Sequence, residues 1–365
     1  MTSQSIDYQS ARSIQPNPAA GGGALHWVAL LTTCATFPLI FMGGLVTSHG
    51  AGLSVPDWPN SFHYNMFLFP PRLWVGGILY EHTHRLMGTV VGLLSIVLVI
   101  TAHWTRWATK REKLLAWGTL GLVFVQGILG GLRVVLVQLD LAIVHACVAQ
   151  AFFCYAAFVA LETSQWWQQR YGQYTGENRN SLVKFGVITV GLVFAQLMVG
   201  ATMRHYQAGL AIPDFPLAYG KLLPPMHSSE LAAINAARAD QPNLDPVSLG
   251  QIWLHFAHRI GALIVSLMLL HVATTALRRY AAEPKVRQPA LVILSLLPAQ
   301  IGLGIATVLL RKPADIASAH VAVGALLLVT TFVLTARAWR LTHRPLTTLG
   351  PSEETVPAGN VVGAL

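Results

Sequence analysis

Tyr80-Glu81-His82-Thr83-His84-Arg85-Leu86-Met87-Gly88 opens a stretch that stays almost wholly apolar from Leu86 to Ala102. A run of that length crosses a bilayer as a helix, which leaves the polar cluster at one membrane boundary. On a helix, Glu81 and His84 are three residues apart and share a face. A carboxylate beside an imidazole at such a boundary costs desolvation energy, so the pair is a functional candidate by default. The plain alternative, a polar cap on an ordinary helix, loses ground to what recurs further along the chain.

The rest of the sequence has the same character. Of 365 residues, 53% are hydrophobic and only 11% charged, whereas a soluble domain carries roughly a quarter charged residues. Eight apolar segments of bilayer length fall near 26 to 47, 83 to 104, 114 to 132, 141 to 162, 183 to 203, 256 to 277, 289 to 310 and 317 to 338. The fold class predicted is all-α, a polytopic membrane protein of eight transmembrane helices in two duplicated four-helix bundles. The net charge of +9 sets topology rather than binding nucleic acid, because the basic residues cluster in short connections after the even-numbered segments. By the positive-inside rule both termini face the cytoplasm; Arg311 and Lys312, on the other side, depart from that bias. Cys34, Cys147 and Cys154 lie inside apolar runs with no CxxC spacing, so neither a disulfide nor a zinc site is indicated.

An internal repeat organises these segments. Ala51-Gly52-Leu53-Ser54-Val55-Pro56-Asp57-Trp58-Pro59 returns as Ala208-Gly209-Leu210-Ala211-Ile212-Pro213-Asp214-Phe215-Pro216. His84-Arg85 returns as His258-Arg259, His145 as His320, and Gln126 as Gln300. The paired histidines stand 61 residues apart in the first half and 62 in the second. Because each half has an even number of crossings, the halves run parallel. The division expected is a disordered tail at 1–25, an N-terminal half at 26–165, a cytoplasmic linker at 166–182, a C-terminal half at 183–340 and a disordered tail at 341–365.

Each half thus offers two imidazoles at matched depth on parallel helices, His84 with His145 and His258 with His320. That arrangement suits bis-histidine ligation of a planar metal cofactor, for which haem is the natural candidate. Arg85 and Arg259, next to the ligands, are placed to meet its carboxylates. Gly88, Gly92, Gly130, Gly131, Gly261, Gly302 and Gly304 allow close approach of helices or of a macrocycle. A single intramembrane histidine more often hydrogen-bonds between helices, but four in duplicated register favour ligation. His49 and His205 are near-equivalents that line the outer pocket. The Pro-Asp-aromatic-Pro loops read as structural, with Asp57 and Asp214 bonding backbone amides. Trp58, Trp74, Trp104, Trp107, Trp166, Trp167 and Trp339 read as interfacial anchors. The halves differ at one telling position: Glu81 aligns with His255, so only the first half has a carboxylate one turn before its histidine.

Taken together, Glu-x-x-His-Arg at Glu81 to Arg85, the two Gly-Leu-x-x-Pro-Asp-aromatic-Pro loops, the second His-Arg pair and the eight segments resemble the haem A synthases of the Cox15/CtaA family, over about residues 26 to 340. The resemblance implies oxidation of a ring methyl of haem O to the formyl group of haem A, through two hydroxylations and loss of water, for use by cytochrome oxidase. It implies that His84 and His145 hold the substrate haem O, that His258 and His320 hold a haem b relaying electrons, and that Glu81 is the essential glutamate. The partner set that goes with it is O2 or a related oxidant, an electron donor such as ferredoxin or quinol, haem O synthase as the source of substrate, the lipid bilayer and a further copy of the chain. The location expected is the bacterial cytoplasmic membrane rather than the mitochondrial inner membrane. Many bacterial members carry a cysteine pair in the first outer loop; residues 48 to 80 contain none, which sets this chain nearer the mitochondrial-like branch. The rival readings are a di-haem b cytochrome that only transfers electrons and a transporter. The second is disfavoured because the ionisable residues sit near one membrane face rather than the midplane.

Overall fold

In the computed structural model the chain is described over residues 23–168, 179–241 and 244–343. Ten α-helices occur among them: α1 Ala24–Ser48, α2 Gly77–Trp104, α3 Lys110–Leu136, α4 Leu139–Glu162, α5 Gln165–Gln168, α6 Arg179–His205, α7 Ser228–Ala239, α8 Leu249–Arg279, α9 Pro284–Leu309 and α10 Ala314–His343. All but α5 and α7 are long and apolar enough to cross a membrane, so the protein is an all-α, multi-pass membrane protein. The expected tails and linker lie largely outside the described residues. Where they overlap them, Ala24, Leu25 and residues 166–168, 179–182 and 341–343 are helical instead.

The helices overrun the apolar segments at most ends, and the reason is chemical. Thr109 and Glu112 form a capping box at the start of α3, with Thr109 N–H donating to Glu112 at 2.7 Å and Glu112 N–H to Thr109 Oγ1 at 3.1 Å. Ser248 and Gln251 do the same for α8. Polar first turns are invisible to hydropathy but helical by capping. Inside the spans, threonine and serine hydroxyls donate to the carbonyl four residues back, as Thr32, Thr36, Ser95, Thr119 and Thr331 do. Those bonds satisfy hydroxyls where water is absent.

Lipid tails are as apolar as leucine, so helix contact must come from close packing rather than from hydrophobic burial. Accordingly the buried positions are often alanines: Ala102, Ala116 and Ala160 in one cluster, Ala273, Ala276, Ala290 and Ala338 in another. Bulky Leu93, Val97 and Ile100 of α2 face outward. The helices α1, α2, α3 and α4 pack each on the next and α4 closes on α1; α6, α8, α9 and α10 close a second ring in the same order. The rings meet where α10 contacts α1 and α4, and α4 contacts α6.

Both long loops, 49–76 and 206–248, emerge at the same face. Each carries the repeated motif as a knot. Asp57 accepts from the Phe62 and His63 amides at 2.7 and 2.8 Å, and Asp214 from the Tyr219 and Gly220 amides at 2.9 Å each. For Asp57 partial burial works to raise the pKa, but the amide bonds, with help from Arg85, outweigh it and hold the carboxyl below its usual range. In the second loop α7 adds Arg238, whose guanidinium donates to the Asp245 and Leu210 carbonyls. The hydropathy reading had no signal for that amphipathic helix.

Candidate functional site

The four repeated histidines lie six to nine residues inside α2, α4, α8 and α10, about two turns from the helix starts at the loop face. That is deeper for His84 and His258 than the apolar segments implied, because the capped or polar first turns are helical. Each imidazole is seated on a glycine of the neighbouring helix. A Cβ on Gly43 would lie 3.1 Å from His84 Cε1, on Gly130 3.3 Å from His145, on Gly200 3.1 Å from His258 and on Gly304 3.0 Å from His320. The four seats repeat in the same order in both rings. Gly43 and Gly200 were not among the glycines singled out in the sequence, where no polar motif stands beside them.

His84 and His145 face each other with ring centroids 6.5 Å apart and planes at 81°. Two metal–imidazole bonds of about 2 Å, with about 1 Å from nitrogen to centroid on each side, need a separation of about 6 Å. The first pair therefore fits a metal held between the two rings. Their Nδ1 atoms are buried and have no hydrogen-bond partner among the described residues. In the other ring the Gln196 amide contacts His258 Nδ1 at 3.0 Å and its carbonyl at 2.8 Å, and His320 Nδ1 faces the Gln300 carbonyl at 3.2 Å. Contacts of that kind fix a ligating imidazole's orientation. Gln126 and Gln300, matched in the sequence, both prove to lie beside the histidine of the next helix.

Glu81 is 4% exposed. Its carboxylate accepts from the Val55 amide at 2.9 Å and from Arg85 at 2.9 Å. In the second ring His255 takes both parts: its Nδ1 accepts from the Ile212 amide at 3.1 Å and its Nε2 meets Arg259 Nε at 3.3 Å. The two side chains anchor the same loop position, and what distinguishes them is charge. Glu81 is thus a structural anchor of the first loop, one turn before His84 on α2.

Arg85 and Arg259 are not where the sequence reading placed their function. The four hydrogens on the terminal nitrogens of Arg85 go to the Asp57, Asn60 and Val55 carbonyls and to Glu81. Arg259 donates to the Leu217, Ile212 and Asp214 carbonyls. Both clamp the loops, because a buried guanidinium is satisfied best by converging carbonyls. Besides Arg85, the basic group near the first pair is Arg133, in the last turn of α3, one turn from the His145 seat at Gly130 and lying across Gly52 of the first loop. His205, on α6, couples to His145, whereas His49 is exposed and stacks on Tyr80 at 4.0 Å.

His82 had no counterpart in the repeat and drew no role. It is fully buried, contacts Ser61 Oγ at 3.1 Å and packs against Phe69 and Trp74 of the loop. Of the tryptophans, Trp104 and Trp107 are exposed as anchors would be. Trp167 is buried and stacks on Trp339, and Trp58 lies on Gly131, where a Cβ would come within 2.4 Å of its ring.

The sequence family described as cytochrome oxidase assembly protein, COX15-CtaA, matches residues 76–332. The chain belongs to the COX15-CtaA family. Among the similar relatives of this COX15-CtaA member, the heme A synthase of Symbiobacterium thermophilum is 28% identical over 77% of the chain and 84% of its own length. The heme A synthase of Shewanella oneidensis is 23% identical over 86% of the chain and 97% of its length. That of Geobacillus kaustophilus is 24% identical over 81% and 86% respectively.

Proposed function

We propose that this COX15-CtaA chain is a haem A synthase, a membrane oxidoreductase that converts the ring methyl of haem O to the formyl group of haem A. The observation that carries the reading is the facing His84–His145 pair, at metal-spanning separation, with Glu81 one turn before His84 on α2. In this reading the first ring takes haem O as substrate through His84 and His145. The second takes a haem b through His258 and His320, and that group, when bound, supplies electrons. The chain's own side chains then do the rest. The glycine seats set the imidazoles, Arg85 holds the first loop over the site, and Glu81 receives or relays a proton at its carboxylate near the reacting methyl. The two rings are copies of one unit, supported by the matched glycine–histidine seats and loop knots. The loop face is outermost in the bacterial cytoplasmic membrane, with the basic connections inward. O2 or a related oxidant and an electron donor such as ferredoxin or quinol complete the reaction.

The test is co-expression with a haem O source, purification, pigment extraction and mass analysis. Haem A in the extract is the expected result. An extract holding haem b alone would favour the electron-transfer cytochrome, and a colourless protein would remove haem altogether.

Two further outcomes separate the rings. His258→Met should change the spectrum of the stable haem b while leaving first-ring binding in place; an unchanged spectrum would move that ligand elsewhere. Gly304→Ala forces the His320 ring to give by a few tenths of an ångström, which should shift the same spectrum more modestly. If redox titration and absorption of Gly304→Ala both match the parent, His320 is not a ligand.

A further inference from the structure

We propose that Arg133 is the receptor for a carboxylate of the tetrapyrrole held between His84 and His145. The inference rests on the haem reading above and names a residue for which that reading has no role. Arg133 is half-buried and couples to both histidines. No hydrogen bond or ion pair joins its side chain to a described residue. A guanidinium carries five donors, and those of Arg133 remain available to a ligand. A long cation at a membrane boundary ordinarily extends outward to the aqueous layer. Arg133 instead lies across Gly52 of the first loop, where an added Cβ would come within 1.9 Å of Nη2. The loop has a glycine at the point where the fork of the side chain passes, and Arg133 itself stands one turn along α3 from Gly130, the seat of His145.

The arginines adjacent in sequence to the ligands do not compete for this role, since Arg85 and Arg259 are committed to loop carbonyls. The groups surrounding Arg133 are Glu81 on α2, His84 and His145, and His205 on α6. Glu81 is the one carboxylate among them, and it is already engaged by Val55 and Arg85. A planar fork of this kind binds a carboxylate through two parallel bonds. On the equivalent glycine of the second loop, Gly209, the neighbour is Lys312, whose stem would lie 3.6 Å from an added Cβ and whose amine already contacts Gln207 at 3.3 Å. The two rings therefore present different cations over the same loop position, a bidentate fork in the first and a single point charge in the second.

The experiment is a spectrophotometric titration of the purified full-length protein in detergent with ferric haem b and, separately, with its dimethyl ester. The first-ring signal is the part that His84→Ala abolishes. The parent protein should bind the free acid at least about tenfold more tightly than the diester at that site, the scale of a charge-assisted bond. Arg133→Gln should bind both forms alike, and Arg133→Lys should recover part of the preference. A preference kept intact in Arg133→Gln overturns the inference and leaves Arg133 as an internal counter-charge for Glu81. Should Arg133→Gln not be recoverable, Gly52→Ala displaces the guanidinium without removing its charge. Loss of the preference there supports the inference, and an unaltered preference overturns it. Failure of the parent's first ring to bind either form would instead sink the haem reading itself, a result distinct from any of these.

Discussion

Glu81→Gln should cut haem A formation by about 10²- to 10⁴-fold, the usual worth of a positioned proton-transfer group, while total bound haem stays unchanged. The amide is the informative replacement. The Val55 amide and Arg85 donate to different carboxylate oxygens, so the amide keeps one acceptor and with it part of the loop anchor, while the charge and the basicity go. Alanine would lose both together, and a fall in activity could then reflect a loosened loop. Glu81→His is a second route to the same question, because the other ring uses a histidine, His255, in the equivalent place with equivalent contacts. Glu81→His should hold the loop and Glu81→Gln should hold it in part, and both should fail in oxidation. The measurement is haem A per mole of protein after pigment extraction, beside total haem; normal haem A in Glu81→Gln would confine Glu81 to anchoring.

Arg85→Ala should be the most destabilising of the single changes considered. It removes a guanidinium whose side chain is only 10% exposed and strands three loop carbonyls together with the Glu81 carboxylate, 5% exposed. Removing one partner of a buried ion pair costs about 3–5 kcal/mol, most of it from the charge left behind. Arg259→Ala in the second ring strands neutral groups alone, since its partner is His255 rather than a carboxylate. Its cost should be nearer the about 1–3 kcal/mol of unsatisfied hydrogen-bonding groups. Limited proteolysis reads the difference: Arg85→Ala should expose residues 49–76 to cleavage much more readily than Arg259→Ala exposes 206–248. Equal sensitivity in the two variants would mean that the charge of Glu81 adds nothing to the clamp.

The sequence made the architecture legible because bilayer thickness imposes a length on every span and because the loop and histidine motifs recur along the chain. Eight apolar runs, a repeated loop motif and four histidines in register carried the fold class and the candidate pairs. What it obscured lies where local chemistry overrides hydropathy. Thr109 and Ser248 start helices several residues ahead of the apolar runs, since capping operates on polar residues. The helix α7 stayed hidden in a loop too mixed in composition to show a span. The arginines illustrate a different limit. Adjacency to the repeated histidines made Arg85 and Arg259 candidate cofactor partners, yet side-chain direction sends both into the loops. Arg133 stands far from any motif in the chain and close to the histidines only in space. Its visible trace was a single charge at the end of the third apolar run, just past the boundary drawn there.

The loop clamps have a consequence for how this protein can change over time. Arg85 and Arg259 grip main-chain oxygens, which every residue type supplies in the same place, and the knots closed by Asp57 and Asp214 hold main-chain amides. Such a grip is blind to the side chains it encloses. Side chains between the anchor points that touch nothing beneath them, unlike Trp58 on Gly131 and Ser61 on His82, are therefore free to drift, so that the loops above the two rings can diverge in shape while their attachment survives intact.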